Sequence, residues 1–122
     1  MTKKILIVAP DRTVRLMAGF TLQLEDYEIL EAEDMQGAME KLDAGLRPAL
    51  ILNGLDLIRS NGAEFVAAVR KRPEFRFVPI LTLADEAVLR RQAEWKEVGV
   101  TGWISQPFTG RQLLEMVNLV MF

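Results

Sequence analysis

The sequence offers few side chains that could carry out a reaction. It contains no histidine and no cysteine. Their absence excludes thiolate nucleophiles, disulfides, Cys or His metal ligands, Ser-His catalysis and phosphotransfer through histidine. Acids remain near the ends of apolar runs, and Asp11 is one that could approach a cation. A residue in its position is more often the N-cap of a helix, so capping is the first interpretation of Asp11.

Five short apolar runs alternate with amphipathic segments, and these elements would have to position any site. The runs are 5–8, 27–32, 49–53, 78–83 and 101–105. Buried strands of parallel sheets appear as nearly continuous apolar runs. Strands that alternate with helices indicate a parallel sheet covered by helices on both faces. We therefore predict a three-layer α/β/α fold with five parallel strands in the flavodoxin-like order 2-1-3-4-5.

Polar residues predict where the intervening helices begin and end. Asp11, Asp34 and Asp85 are expected as N-caps, and Thr109 begins a capping box. Gly45 lies where a helix end requires positive φ. The fourth helix is predicted to run without a break from Asp85 to Gly99.

Apolar spacing predicts which side chains enter the core. The first helix is expected to turn inward Val14, Met17, Ala18, Thr21 and Leu24. Large aromatic side chains are usually buried, so four phenylalanines are predicted as core or near-core residues: Phe20, Phe65, Phe75 and Phe77.

In doubly wound sheets, ligands bind beyond the carboxyl ends of the strands, where the strand order reverses. That rule selects the residues that follow the predicted strands: Ala9, Pro10, Asp11, Asn53, Ala84 and Gln106. They include no nucleophile paired with a base. We therefore predict that the chain is not an enzyme.

Several stretches resemble one family across essentially the whole chain. They are 4–8 with 13–17, then 31–34, 78–82 and 99–108. The last of them contains Gln106-Pro107-Phe108, where the family usually has Lys-Pro-Phe after its fifth strand. On these stretches the sequence resembles the receiver domains of bacterial response regulators. The resemblance implies a CheY-like fold, a cis peptide bond before Pro107, and a role in two-component phosphorelay signalling.

The resemblance also implies roles for the strand ends. In that family, an acid pair after the first strand and an aspartate ending the third hold Mg²⁺, and the same aspartate accepts the phosphoryl group. A Thr or Ser after the fourth strand and a Lys after the fifth bind the phosphoryl oxygens. The matching positions here are Ala9 and Pro10 for the acid pair, Asn53 for the acceptor, Ala84 for the hydroxyl and Gln106 for the lysine.

None of these replacements can perform the family's chemistry. A methyl group and a pyrrolidine ring cannot ligate Mg²⁺, which requires oxygen ligands. An amide does not accept a phosphoryl group, and neither Ala84 nor Gln106 can stabilise its charge. The loop from Asn53 to Gly62 is also one residue longer than usual. We therefore predict a degenerate pseudo-receiver that binds no Mg²⁺ or other cofactor and acts through protein–protein interaction.

Two alternatives remain open at this stage. Acids displaced from their usual positions, Asp11 and Asp56, could support an active phosphoacceptor. Alternatively, the small residues Ala9 and Ala84, beside Gln106, could leave a pocket that senses an uncharged small ligand.

A partner or switch surface is predicted around Trp103, with Trp95 and Arg91. Trp103 occupies the family's aromatic switch position on the fifth strand, and tryptophan is enriched at binding hot spots. The resemblance implies that the face made by the fourth helix, fifth strand and last helix binds a protein partner or forms a homodimer. Static packing of Trp103 is compatible with such a contact.

Composition limits the remaining classes. The 122 residues fit one domain, 1–122, and 15 basic against 17 acidic residues give a net charge of −2. This balance does not favour nucleic-acid binding. No apolar stretch approaches the roughly 20 residues that span a bilayer. We expect a cytoplasmic protein with neither nucleic acid nor membrane as partner.

Overall fold

The computed structural model describes residues 2–121, and its strands form one parallel sheet. The sheet order is β2-β1-β3-β4-β5, which confirms the predicted order. The strands are β1 (Lys4–Val8), β2 (Glu28–Ala32), β3 (Leu50–Asn53), β4 (Ile80–Ala84) and β5 (Gly102–Ser105).

Helices connect the strands and cover both faces of the sheet. They are α1 (Arg12–Gln23), α2 (Met35–Asp43), α3 (Gly62–Arg70), α4 (Glu86–Leu89), α5 (Gln92–Val98) and α6 (Gly110–Val120), with a short 3₁₀ turn at Pro73–Phe75. The predicted N-caps are confirmed, since Asp11, Asp34 and Asp85 each accept a hydrogen bond from a backbone N–H of the first turn. Thr109 and Gln112 form the predicted capping box. Gly45 has φ +106°, as its position required.

Alternation along the strands divides the core between the two faces. Ile5, Ile7 and Leu52 pack with α1 and α6 on one face. Leu6, Val8 and residues of α2, α3 and α5 form the core on the other face. Because both faces are covered, the inner strands are apolar throughout, and the carboxyl ends of β1, β3 and β4 meet at one buried edge.

The predicted orientation of α1 is wrong in part. Its buried residues are Ala18, Gly19 and Leu22, whereas Leu24 is 70% exposed. Phe20 is 67% exposed, so its predicted core position is also wrong. The helix has apolar residues around most of its circumference, and small ones face the sheet, so spacing alone did not select the buried side. Phe65 and Phe75 are in the core as predicted, but Phe77 is 88% exposed.

The predicted fourth helix is interrupted between α4 and α5. The backbone carbonyl of Val88 accepts hydrogen bonds from Arg91 N–H and from the indole Nε1 of Trp95, at 3.0 and 2.8 Å. An uninterrupted helix would direct that carbonyl to the N–H of Gln92. The break therefore satisfies the Val88 carbonyl while it turns the indole of Trp95 into the core.

Candidate functional site

An arginine holds the loop at the end of β1. Nη1 of Arg15 donates hydrogen bonds to the carbonyls of Ala9 and Pro10, at 2.6 and 3.1 Å. Its Nε donates to Oε1 of Glu31 at 3.2 Å, which fixes the guanidinium against β2. Ala9 itself is 2% exposed. The loop carbonyls are thus engaged by a cationic side chain, a contact that sequence reasoning missed because α1 spacing does not show where a long arginine reaches.

At the end of β3, the Asn53 side chain is fully buried and forms hydrogen bonds with the backbone two residues later. Its Oδ1 accepts a hydrogen bond from the N–H of Leu55 at 3.0 Å, and its Nδ2 donates to the Leu55 carbonyl at 3.3 Å. A side chain that bonds to backbone two residues later stabilises a local turn. The amide therefore holds the start of the β3–α3 loop.

Gly54, the next residue, lies against the end of β1. Its N–H donates to the Val8 carbonyl at 2.6 Å. A Cβ built at Gly54 would lie 2.7 Å from the Cβ of Ala9. A side chain that points from the end of β3 toward Ala9 would therefore have to be at position 54. If position 54 is the acceptor position, the loop from there to Gly62 has the family's usual length, without the extra residue noted above. The assignment of Asn53 to the acceptor position stays a prediction, with Gly54 as the alternative that this geometry favours.

Gly62 closes the same loop. A Cβ at this position would lie 2.2 Å from the Leu55 carbonyl oxygen and 2.8 Å from that of Asp56. Its N–H donates to the Asp56 carbonyl at 3.1 Å. The loop therefore packs directly onto the backbone at the start of α3, and only glycine fits there without movement.

Asp56 and Arg59 join the β3–α3 loop to the loop after β4. Oδ1 of Asp56 accepts from the N–H groups of Ile58 and Arg59, at 2.8 and 2.7 Å. Nη1 of Arg59 lies 2.6 Å from Oδ2 of Asp56 and 2.9 Å from Oδ2 of Asp85. Partial burial acts to raise the pKa of Asp56, but the hydrogen bonds from Arg59 and Ile58 outweigh it and hold that pKa below its ordinary value.

Ala84 and Gln106 lie at the ends of β4 and β5. Ala84 is 1% exposed, and its carbonyl accepts a hydrogen bond from the N–H of Gln106 at 3.0 Å. Gln106 is exposed, and the peptide bond to Pro107 is cis, as the resemblance implied. Leu55, Leu57 and Val88 are buried in the same cluster as Ala84. The short side chain of Ala84 is thus part of the apolar core.

The donors at this edge do not fit Mg²⁺. Asp11 is the acid next to the end of β1, and its Oδ1 accepts from Thr13 N–H at 2.8 Å. The Asn53 oxygen is bonded to Leu55 N–H, and the Asp56 carboxylate is bonded to Arg59. Within residues 2–121, no group of three or more acidic, histidine or cysteine side chains is arranged to hold a metal. Mg²⁺ requires several hard oxygen ligands around one point, which these residues do not supply.

The partner surface stays a prediction, and the structure places its three residues at different depths. Trp95 is 5% exposed, which corrects its placement on that surface, because the helix break buries its ring. The Arg91 guanidinium lies 4.7 Å from the Trp95 ring centre and covers it from outside. Trp103 is half-buried and packs against the core.

A groove of about 440 Å³ lies between β5 and α6. Trp103, Ile104, Glu115, Met116 and Leu119 are among its lining residues. Leu119 is 65% exposed. The groove therefore presents apolar side chains, together with one carboxylate, on the face that the sequence indicated.

No helix in the part of the chain that the structure describes is long and apolar enough to cross a membrane.

Comparisons with known proteins agree on the relationship. Residues 5–118 match the model of the response regulator receiver domain. The chain is 31% identical over 119 residues to chemotaxis protein CheY1 of Helicobacter pylori, covering 97% of this chain and 96% of that protein. It is 26% identical to the phosphate regulon transcriptional regulatory protein PhoB of Escherichia coli, of which it spans 52%.

A solved structure shows the same fold at full length. The chemotaxis response regulator CheY4 of Vibrio cholerae superposes with a TM-score of 0.90 and 34% identity, over 99% of this chain and 100% of that one. The family match covers the five strands except Lys4, and nearly all of α6. The chain belongs to the response regulator receiver domain family, the CheY-like receiver domains of two-component signalling systems.

Proposed function

We propose that this receiver domain signals without phosphorylation, by presenting the face formed by β5 and α6 to a protein partner. The observation that carries the proposal is the state of the β3 end. Position 53 is an amide bonded to the Leu55 backbone, and position 54 has no side chain. Whichever position corresponds to the family's aspartate, no carboxylate is available there to accept a phosphoryl group.

The surroundings support the same conclusion. Phosphoryl transfer depends on positioned charge, chiefly metal ions and cationic side chains around the transferred group. Ala9, Pro10, Ala84 and Gln106 supply none of that charge. We infer a domain that is not an enzyme, with no route to an aspartyl phosphate and no use for Mg²⁺ or another cofactor.

Relocated acids are a weaker explanation. Asp56 would have to give up two backbone hydrogen bonds and its ion pair with Arg59 before it could attack a phosphoryl donor. Asp11 already caps α1. Their present bonds stabilise the two loops, so we assign both residues structural roles.

A small-ligand sensor at the same edge also has less support. Ala9 and Ala84 are 2% and 1% exposed, and Leu55 and Leu57 are buried in the cluster that contains Ala84. Close packing of this kind leaves little room for a ligand.

The β5–α6 face is the better candidate for recognition. Its groove combines the half-buried ring of Trp103 with exposed Leu119, while Glu115 adds a negative rim. Aromatic side chains that are half-buried before binding lose little conformational freedom when they are covered. We infer a cytoplasmic protein partner that contributes an apolar segment with a basic residue; a homodimer over this face is the other predicted arrangement.

The direct test is phosphoryl chemistry followed by NMR. The chain is incubated with Mg²⁺ and either a small phosphodonor or beryllofluoride, and amide shifts are compared before and after. We expect no specific shifts at Asn53, Gly54 or Trp103, because no carboxylate can bind the analogue. A receiver domain with its acids intact serves as the positive control and must respond under the same conditions.

Phosphoprotein mass spectrometry on the wild type and on Asp56→Asn provides a second measurement. Saturable shifts at stoichiometric analogue, or a phosphorylated wild type that Asp56→Asn abolishes, would disprove the proposal and establish an active phosphoacceptor. Unmodified protein in both samples, beside a modified positive control, supports it.

A further inference from the structure

The outward face of α1 carries a continuous apolar stripe that the fold does not use. Leu16 is 55% exposed, Met17 38%, Phe20 67% and Leu24 70%. Residues four apart lie on one side of a helix, so Leu16, Phe20 and Leu24 form a single row. Large contiguous apolar patches are uncommon on proteins that act alone, and they mark interaction sites.

Charges at the two ends of this stripe have opposite signs. Arg12 lies one turn before Leu16, and Glu25 and Asp26 follow Leu24. The first turn of α1 has no acid and the last has no base, so these charges oppose the helix dipole instead of compensating it. Among residues 2–121, none of the three takes part in an ion pair.

We propose that two copies of this chain associate through α1, with the helices antiparallel and the two-fold axis beside Phe20. The row spacing then places Leu16 of one copy against Leu24 of the other. Arg12 comes to the acidic end of the second helix, near Glu25 and Asp26. A two-fold contact uses the same surface twice, so each pairing occurs twice.

The pattern favours a second copy because the stripe is complementary to itself. Its apolar row is symmetric about Phe20, its two ends have opposite charge, and antiparallel helices also oppose their dipoles favourably. Beside the stripe lies a groove of about 150 Å³, lined in part by Gly19, Gln23 and Ile29, which can receive side chains from the other helix.

Charged neighbours on adjoining elements leave this complementarity intact. Arg15 is engaged with Glu31 and the β1–α1 loop. Lys3 lines a surface depression with Glu25 and Asp26 but makes no ion pair with either among the described residues. The acidic end therefore remains available to Arg12 of a second copy.

This association is independent of the proposed signalling mechanism and leaves the β5–α6 groove uncovered. β2, beside α1, and β5 are the two opposite edges of the sheet. A dimer through α1 would therefore present two copies of the groove to partners.

Sedimentation velocity over a wide concentration range tests the proposal. The wild type is expected to shift from monomer to dimer as concentration rises. Phe20→Glu should weaken the dimer by about tenfold or more, since it places a charge at the axis. Leu119→Glu is the matched control, because Leu119 is 65% exposed, close to the 67% of Phe20, but lies on α6 in the groove beside β5. Circular dichroism establishes that each variant is folded.

Charge reversal tests the register. Arg12→Glu and Glu25→Arg should each weaken the dimer, and the two together should restore it, because a two-fold contact then regains both pairs. A chain that stays monomeric throughout overturns the proposal. So does a dimer that Leu119→Glu disrupts and Phe20→Glu does not, which would place self-association on the β5–α6 face. A double variant no stronger than the single ones overturns the antiparallel register.

Discussion

Side chains at the carboxyl edge of the sheet are bonded or buried within the chain, whereas large apolar side chains on the outer helix faces are exposed. At the edge, Asn53, Asp56 and Arg15 are all bonded to nearby backbone, and Leu55 is 2% exposed. On the outer faces, Phe20 and Leu119 are about two-thirds exposed, at 67% and 65%. The side chains at the edge thus find their partners within the chain, whereas the apolar side chains on the outer faces stay open to solvent.

The largest expected effect comes from deleting matched leucine side chains in the two regions. Leu55→Ala should cost about 3 kcal/mol of unfolding free energy, since it leaves a cavity under the β3–α3 loop. Leu119→Ala should change that free energy by less than about 0.5 kcal/mol, because its side chain is largely solvated. Urea denaturation followed by circular dichroism measures both. Similar costs at the two positions would contradict the contrast between a packed edge and an open face.

The contrast was predictable only in part. Continuous apolar runs gave the strands because both faces of the sheet are covered, and the caps Asp11, Asp34 and Asp85 depend on local bonds that sequence shows directly. A continuous apolar run does not show which side chains point to which face of the sheet, and a shift of one residue exchanges the two faces of a strand. The choice between positions 53 and 54 therefore required the structure.

The prediction of which helix face is buried was limited by a similar ambiguity. The α1 face that meets the sheet consists of small residues, Ala18 and Gly19, beside Leu22. Larger apolar residues on the outside gave an equally good helical period, so Met17 and Leu24 were predicted inward. Phe20 was predicted buried only because large aromatic side chains usually are. Tertiary contacts decided between two apolar faces, and the Trp95 hydrogen bond to Val88 likewise broke a helix that periodicity predicts as continuous.

Asn53→Asp examines whether the edge tolerates a buried carboxylate at position 53. The substituted carboxylate would be buried, and its second oxygen would face the Leu55 carbonyl that Nδ2 now contacts. We expect a loss of about 2 kcal/mol near pH 7. Burial should raise the folded-state pKa of the new carboxyl above its unfolded value. The variant should therefore be closest to wild type at acidic pH and lose stability as pH rises through the folded pKa.

Urea denaturation of Asn53→Asp and wild type at a series of pH values measures this difference. Equal stability at every pH would show that the edge can solvate a carboxylate, which would weaken the description of it as closed.

Thr82→Val tests the interior just below the edge. Thr82 is fully buried on β4, beside Asn53 of β3, and its Oγ1 has no hydrogen-bond partner among residues 2–121. Valine has nearly the same shape and removes the unpaired hydroxyl. We expect unfolding free energy to rise by about 1 kcal/mol, as thermal denaturation would record. A clear loss of stability would mean that the hydroxyl is bonded in solution and that polar contacts extend into the core.

The smallest expected effect concerns the loop connection through Asp56. Hydrogen bonds from Arg59 and Ile58 lower its folded-state pKa against the opposing effect of burial. A depressed pKa stabilises the fold above the unfolded value, and that contribution disappears as pH falls through the folded value. Asp56→Asn should therefore flatten the acid limb of the stability curve below about pH 4, the ordinary range of an aspartate. Glu97→Gln, at an exposed carboxylate of α5 outside any ion pair of the described chain, is the control. If both variants follow the wild-type curve, the bonds of Asp56 hold the loop in place without contributing to stability, and the edge is closed chiefly by its apolar packing.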